Sequence, residues 1–186
     1  VDLNLFQFDY DLNWAAMFIN ADGVVYGRYG TQSAEGPDAY NSIESLEKTM
    51  QRVLRLHAKA PKIADSLVGK RGRNRSYSTA LEMPGMDHKE KLRGPTKREN
   101  CIHCNMIHDA QNLGAYRDGT FNQDMLWRYP LPENIGMKID PLDGLRIKNV
   151  TKGGVAERAG LRAGDEIIQI DQEPVVSTAD IQWRLH

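Results

Sequence analysis

Between residues 153 and 168 the chain reads Gly153-Gly154-Val155-Ala156-Glu157-Arg158-Ala159-Gly160-Leu161-Arg162-Ala163-Gly164-Asp165-Glu166-Ile167-Ile168. Few local structures satisfy that string. Ala156 and Ala159 let a short helix over 155–159 lie close on a sheet, and Gly160 stops it at the left-handed C-cap position. Gly164-Asp165 then makes a tight turn. It leads into a strand over 166–171, carrying Ile167, Ile168 and Ile170. Two strands are expected upstream, over 137–140 and 145–150. Downstream, Ser177 caps a last helix carrying Ile181, Trp183 and Leu185. Residues 130–186 are therefore expected to form one strand-rich module with two helices.

Residues 1–58 carry a second pattern. Leu3, Leu5, Phe6 and Phe8 predict a strand or its exit. Residues 15–20 and 24–28 predict two more strands, joined by the hairpin turn Asn20-Ala21-Asp22-Gly23, where Gly23 supplies the positive φ. After a Gly- and Pro-containing loop, Asn41 is placed to cap a helix, with Glu44 at the reciprocal capping position. Ile43, Leu46, Met50, Val53 and Leu54 share one face of that helix. They are expected to lie on the hairpin sheet. Glu44 and Lys48 add a pair four residues apart.

Charge separates these two regions. Lys plus Arg number 24 and Asp plus Glu 25, a net −1, in a chain of 186 residues. That balance argues for neither nucleic acid nor a membrane surface. The segment 59–98 nevertheless carries +7 and the remainder −8. With few long apolar residues and several Gly and Pro, this segment reads as a solvated connector. Nucleic-acid binding is not expected of it, because Tyr77 is its only aromatic residue and stacking sites need more. No apolar run approaches the ~20 residues that span a bilayer. The chain opens at Val1 inside an apolar pattern, which predicts a fragment or a processed product.

The string from Gly153 to Ile168, continued through Ile170-Asp171, Pro174-Val175, Ser177 and Asp180-Ile181, resembles the PDZ domains of bacterial periplasmic serine proteases. The resemblance covers about 50 residues. It implies a binding module in which a partner's extended segment adds as a strand beside an edge strand and packs against the last helix. Ile135-Gly136-Met137 matches the apolar-Gly-apolar loop whose N–H groups receive a terminal carboxylate. Met137 and Ile139 would line the groove from the strand, and Ile181 and Leu185 from the helix. The resemblance implies a closing strand beyond His186, so the module is expected here without its final strand. Residues 18–30, Phe18-Ile19-Asn20-Ala21-Asp22-Gly23-Val24-Val25-Tyr26-Gly27-Arg28-Tyr29-Gly30, are similar to the terminal hairpin of a thioredoxin fold, with its last helix following. The active-site Cys pair and the cis-proline of that fold have no counterparts here, so the resemblance implies the fold alone. A thioredoxin-like segment joined to a Cys-x-x-Cys segment and a PDZ domain resembles a bacterial extracytoplasmic family. That implies a periplasmic or otherwise extracytoplasmic location.

One segment carries candidate chemistry: Glu99-Asn100-Cys101-Ile102-His103-Cys104-Asn105-Met106-Ile107-His108. With Asn100 as a helix cap, Cys101 would sit in the first turn, where the helix dipole lowers a thiol pKa. Cys101, Cys104 and His108 would share one face, and His103 would point away. Three readings follow. The pair is a disulfide or redox-active dithiol. Or zinc binds Cys101, Cys104 and His108, completed by His88, an acid or water. Or haem c attaches at Cys101 and Cys104. The usual attachment motif has His directly after the second Cys. Here Asn105 occupies that place, leaving His103 or His108 as the axial ligand and Met83, Met86 or Met106 opposite.

The fold expected is α/β (α+β). It comprises a thioredoxin-like hairpin and helix over 1–58, a basic connector with the Cys-x-x-Cys pair over 59–129, and a PDZ-like β-barrel with two helices over 130–186. The function expected is that of a binding or scaffold protein capturing an extended peptide or C-terminal segment, with a redox-active or structural Cys pair. The alternative is an electron-transfer or thiol–disulfide protein centred on Cys101 and Cys104. No hydrolase motif such as Gly-x-Ser-x-Gly is present.

Overall fold

A computed structural model describes residues 1–36, 38–95 and 97–186, with the Trp127 side chain outside the description. In chain order the elements are β1 (Ala16–Ile19), β2 (Val25–Tyr29), α1 (Ile43–His57), α2 (Ala60–Ile63), α3 (Lys89–Leu92), α4 (Cys104–Arg117), β3 (Met137–Ile139), β4 (Ile147–Val150), α5 (Val155–Arg158), β5 (Gln169–Ile170), β6 (Glu173–Pro174) and α6 (Thr178–Leu185). Short 3-10 turns lie between them, among them Ala64–Lys70 and Pro132–Ile135. The strands pair as three antiparallel ribbons, β1 with β2, β3 with β4 and β5 with β6. The architecture mixes helices with small sheets rather than building one continuous barrel.

The contacts group the chain into two compact units, and neither is a single stretch of sequence. One comprises Val1–Asn13 with Gly72–Arg128, the other Trp14–Arg71 with Tyr129–His186. The expected sequential modules 1–58, 59–129 and 130–186 are thus partitioned differently. The hairpin, α1 and residues up to Arg71 belong with the C-terminal module. Most of the basic connector instead builds a core of its own with the N-terminal residues.

In the first unit, residues 3–8 form turns rather than a strand, with Leu5 N and Phe6 N donating to Asp2 O. Leu3 and Tyr10 are buried with Ala80, Met83, Met86, Ile107 and Ala110. Met83 and Met86 are thus core residues, 1% and 5% exposed.

In the second unit the hairpin forms as its turn predicts. Asn20 Oδ1 accepts from Asp22 N at 3.0 Å and Val24 N at 2.9 Å, and Gly23 has φ +78°. β2 is buried along its whole length. Gly27 is required there, because a Cβ would collide with Val176 and Asp180. Among the described residues β1 and β2 pair only with each other. Beyond the strand–strand–helix order, nothing in the fold supports the thioredoxin-like resemblance.

Helix α1 corrects the sequence reading twice. Its cap is Ser42, whose hydroxyl accepts from Ser45 N at 3.0 Å. Asn41 instead pairs with the backbone of Thr31 in both directions. The buried face is Ser45, Thr49, Arg52 and Val53, while Ile43 is 77% and Leu54 67% exposed. The reason is what lies beneath. Ser45 meets the Tyr29 hydroxyl at 2.7 Å, and Thr49 Oγ1 donates to Val176 O at 3.2 Å. Arg52 donates to Asp143 O and Oδ1, each at 2.7 Å. Those polar partners select a polar face, overriding the apolar periodicity.

The C-terminal elements follow the expected order. Gly160 and Gly164 have φ +89° and +96°, as a C-cap and a tight turn require. Ser177 Oγ accepts from Asp180 N at 3.2 Å to start α6. The strand expected over 166–171 shortens to Gln169–Ile170 and a bridge between Arg146 and Glu166.

A buried ionic knot joins the pieces of this unit. Lys70 and Asp180 are both 0% exposed, with Nζ 2.6 Å from Oδ2. Asp180 also accepts from Arg28 N at 3.0 Å and Val176 N at 3.1 Å. Arg28 Nη2 donates to Lys70 O at 2.6 Å, and its guanidinium lies 3.6 Å from the Trp183 ring. Trp183 Nε1 donates to Gly69 O at 3.0 Å. Truncating one partner of a buried pair strands the other charge and costs about 3–5 kcal/mol. Asp180→Ala is therefore expected to lose that much in a urea titration. Lys48→Ala, which removes a half-exposed partner of Asp143, is expected to lose under ~1 kcal/mol. Equal losses from the two would contradict this reading.

Candidate functional site

The residues expected to form a peptide slot come from three elements of the second unit. Pro132 starts the 3-10 turn Pro132–Ile135, which Gly136 ends with φ +85°. Glycine adopts that conformation without strain. Thr151 N donates to Gly136 O at 2.8 Å, starting the ladder of β3 with β4. Met137 faces Val150, Lys138 faces Asn149, and Ile139 faces Ile147 across a bulge. Asp140 N donates to Arg146 O at 2.8 Å at the other end. In an antiparallel ladder, alternate residues bond to one neighbour. Residues 136, 138 and 140 bond toward β4, so Met137 and Ile139 turn their N–H and C=O groups away from it. Among the described residues no backbone partner occupies that far edge.

Met137, Ile139 and Ile181 are brought together as expected, within a cluster that includes Leu145, Ile147, Ala156 and Val175. They are 3%, 0% and 0% exposed. They form a dry floor rather than open walls. Ile135 and Leu185 are partly buried against the same cluster and stand at its margin. α6 is held from its other sides: Thr31 Oγ1 donates to Gln182 Oε1 at 2.8 Å, and Gln182 Nε2 to Tyr129 O at 2.8 Å.

Charged groups missed by the sequence reading surround this floor. Lys138 pairs with Glu35 at 3.1 Å. Tyr40 donates its hydroxyl to Glu133 Oε1. Glu133 Oε2 is buried and has no hydrogen-bond partner. Burial pushes the Glu133 carboxyl above the usual carboxylate range, and Glu35 adds to the rise while Lys138 opposes it. Between β3 and β4, burial works to raise Asp143, but hydrogen bonds from Arg52 and Lys48 outweigh it and bring its pKa down to about 2. Asp143 Oδ1 also accepts from Leu145 N and Arg146 N, at 3.2 and 3.1 Å, fixing the turn. An isolated Glu or Asp in a loop gives no local signal of such partners.

The Cys-His segment departs from its expected geometry. The helix begins at Cys104, with His103 as N-cap, so Cys101 lies outside it. Asn100 closes the preceding 3-10 turn by accepting from Lys97 N. Both thiols are free and half-buried. Burial raises the Cys104 pKa, with the neighbouring Cys101 adding to the rise; Cys101 does not occupy the first helical turn expected for it. His108 faces Asn112 at 3.2 Å and Asp109 at 3.5 Å. Among the described residues no three His, Cys, Asp or Glu gather as a metal site. Cys101, Cys104 and His108 are thus not gathered into the set expected for zinc among the described residues, and no finding supports a haem or redox role for Cys101, Cys104, His103 and His108.

A PDZ domain is found at residues 146–185. The chain is also similar to Rho GTPase-activating protein 23 of Mus musculus, 32% identical over 78 residues. That alignment covers 42% of this chain and spans only 4% of the length of the mouse protein. No solved structure matches. No described helix is long and apolar enough to cross a membrane.

The depressed Asp143 pKa sets a pH dependence. Asp143 is more acidic folded than its unfolded value of 3.8, so it stabilises the fold at pH values above about 4. That contribution fades as pH falls through about 2. Asp143→Asn is expected to lower stability at pH 7 by about 2 kcal/mol, with the gap to the parent protein closing toward pH 2. Denaturant titrations across that range check the sign; a gap that widens on acidification would contradict it.

Proposed function

We propose that the second unit is a protein-binding module. It would take an extended segment of a partner as an added strand along β3, with α6 as the opposite wall, in a scaffold or recruitment role. The N–H and C=O groups of Met137 and Ile139, turned away from β4 and without a backbone partner among the described residues, carry this reading. An unpaired strand edge supplies backbone hydrogen bonds to any extended chain, and flanking side chains supply the selectivity. The PDZ domain at residues 146–185 supports it, because peptide or protein binding is what such domains do. Ile135 and Leu185, at the margin of the floor, are the side chains an added strand would cover first.

Isotope-labelled protein titrated with a random octapeptide pool, amidated at its C-terminus, provides the test. Saturable amide shifts are expected at residues 135–139 and along α6. Leu185→Gln is expected to weaken binding about tenfold while keeping the thermal midpoint within a few degrees. Shifts confined to α5 and the 160–165 turn, or no saturable response, would overturn the proposal.

A further inference from the structure

The central donor of the loop that would receive a terminal carboxylate is already engaged. Capture of an anion there needs free N–H groups converging on it. Gly136 N instead donates to Glu133 O at 2.9 Å, and Asn134 N donates to Leu131 O at 2.9 Å. The central donor of the Ile135-Gly136-Met137 loop is therefore held within its own 3-10 turn. The charge around the loop also opposes an anion. Glu133 stands in that turn, and Glu35 is 3.1 Å from Lys138 on the adjoining strand. Two carboxylates face one ammonium. Glu133 Oε2, buried without a partner, needs a donor: an unsatisfied buried acceptor costs about 1–3 kcal/mol.

We infer that the slot takes an internal extended segment bearing a Lys or Arg side chain beside Glu133, and rejects a free chain terminus. The inference rests on the strand-addition reading above and adds the ligand class to it. An incoming ammonium or guanidinium completes the charge of the Glu35, Glu133 and Lys138 group and donates to the vacant oxygen. A terminal carboxylate would have to break the Gly136 turn and sit against Glu133.

Three pools of random octapeptides, competed against one fluorescent peptide from the amidated pool, separate the outcomes. One has free C-terminal carboxylates, one is amidated, and one is amidated with a fixed central Lys. The amidated Lys pool is expected to compete at least tenfold better than the free-acid pool. Glu133→Gln is expected to reduce that preference at least threefold while binding persists. The Gly136 amide is expected to remain protected from hydrogen exchange when the pool is bound. Equal or better competition by the free-acid pool, with shifts at 135–139, would overturn this inference and leave strand addition standing. If no pool binds saturably, strand addition fails and the inference fails with it.

Discussion

Lys70 Nζ and Asp180 Oδ2 lie 2.6 Å apart with neither side chain reaching solvent. Removing both charges from water is costly, and their attraction offsets that cost only with close geometry and further hydrogen bonds. The second unit provides them. Asp180 takes two backbone N–H groups as well as the ammonium, one from β2 and one from Val176. Arg28 ties the carbonyl of Lys70 to the face of Trp183. One carboxylate thereby draws together three stretches far apart in sequence: β2, the 64–70 turn and α6. An ion pair of this kind adds little net stability, but it tolerates few alternative arrangements. Its effect here is to set where α6 stands.

That placement bears directly on the proposed binding. One side of α6 is occupied by the knot and by Thr31 and Tyr129; Ile181, on another side, enters the cluster with Met137 and Ile139. A second tie, from Arg52 to Asp143, fixes the turn joining β3 to β4. The strand edge and the helix are thus each anchored to α1 and β2, outside residues 146–185. The elements expected to be a separate N-terminal domain serve as the frame of the C-terminal one.

Local signals in the sequence were legible. Gly160, Gly164 and Ser177 each act within a few residues, as does the Asn20–Gly23 turn, and each forms as read. That Met137, Ile139 and Ile181 share one core cluster follows the spacing of the resemblance. What was hidden depends on distant partners. Ile43, Met50 and Leu54 form a convincing apolar stripe, yet Tyr29, Asp143 and the carbonyl of Val176 draw the polar face of α1 inward. Lys70 sits in a basic run that reads as solvated, and only Asp180, 110 positions later, explains its burial. Cys101 and Cys104 have suggestive spacing, but the helix starts late enough to leave Cys101 outside it. Glu133 gave no signal, because its meaning depends on Tyr40, Glu35 and Lys138 meeting it.

Native-state hydrogen exchange tests most directly whether the buried knot makes β2 and α6 one structure. Amides of Val25–Tyr29 and Thr178–Leu185 should open with a common free energy and respond together to mild denaturant. If α6 opened at low denaturant while β2 stayed protected, the two would be independent. The account of how this molecule positions its proposed binding edge would then be wrong.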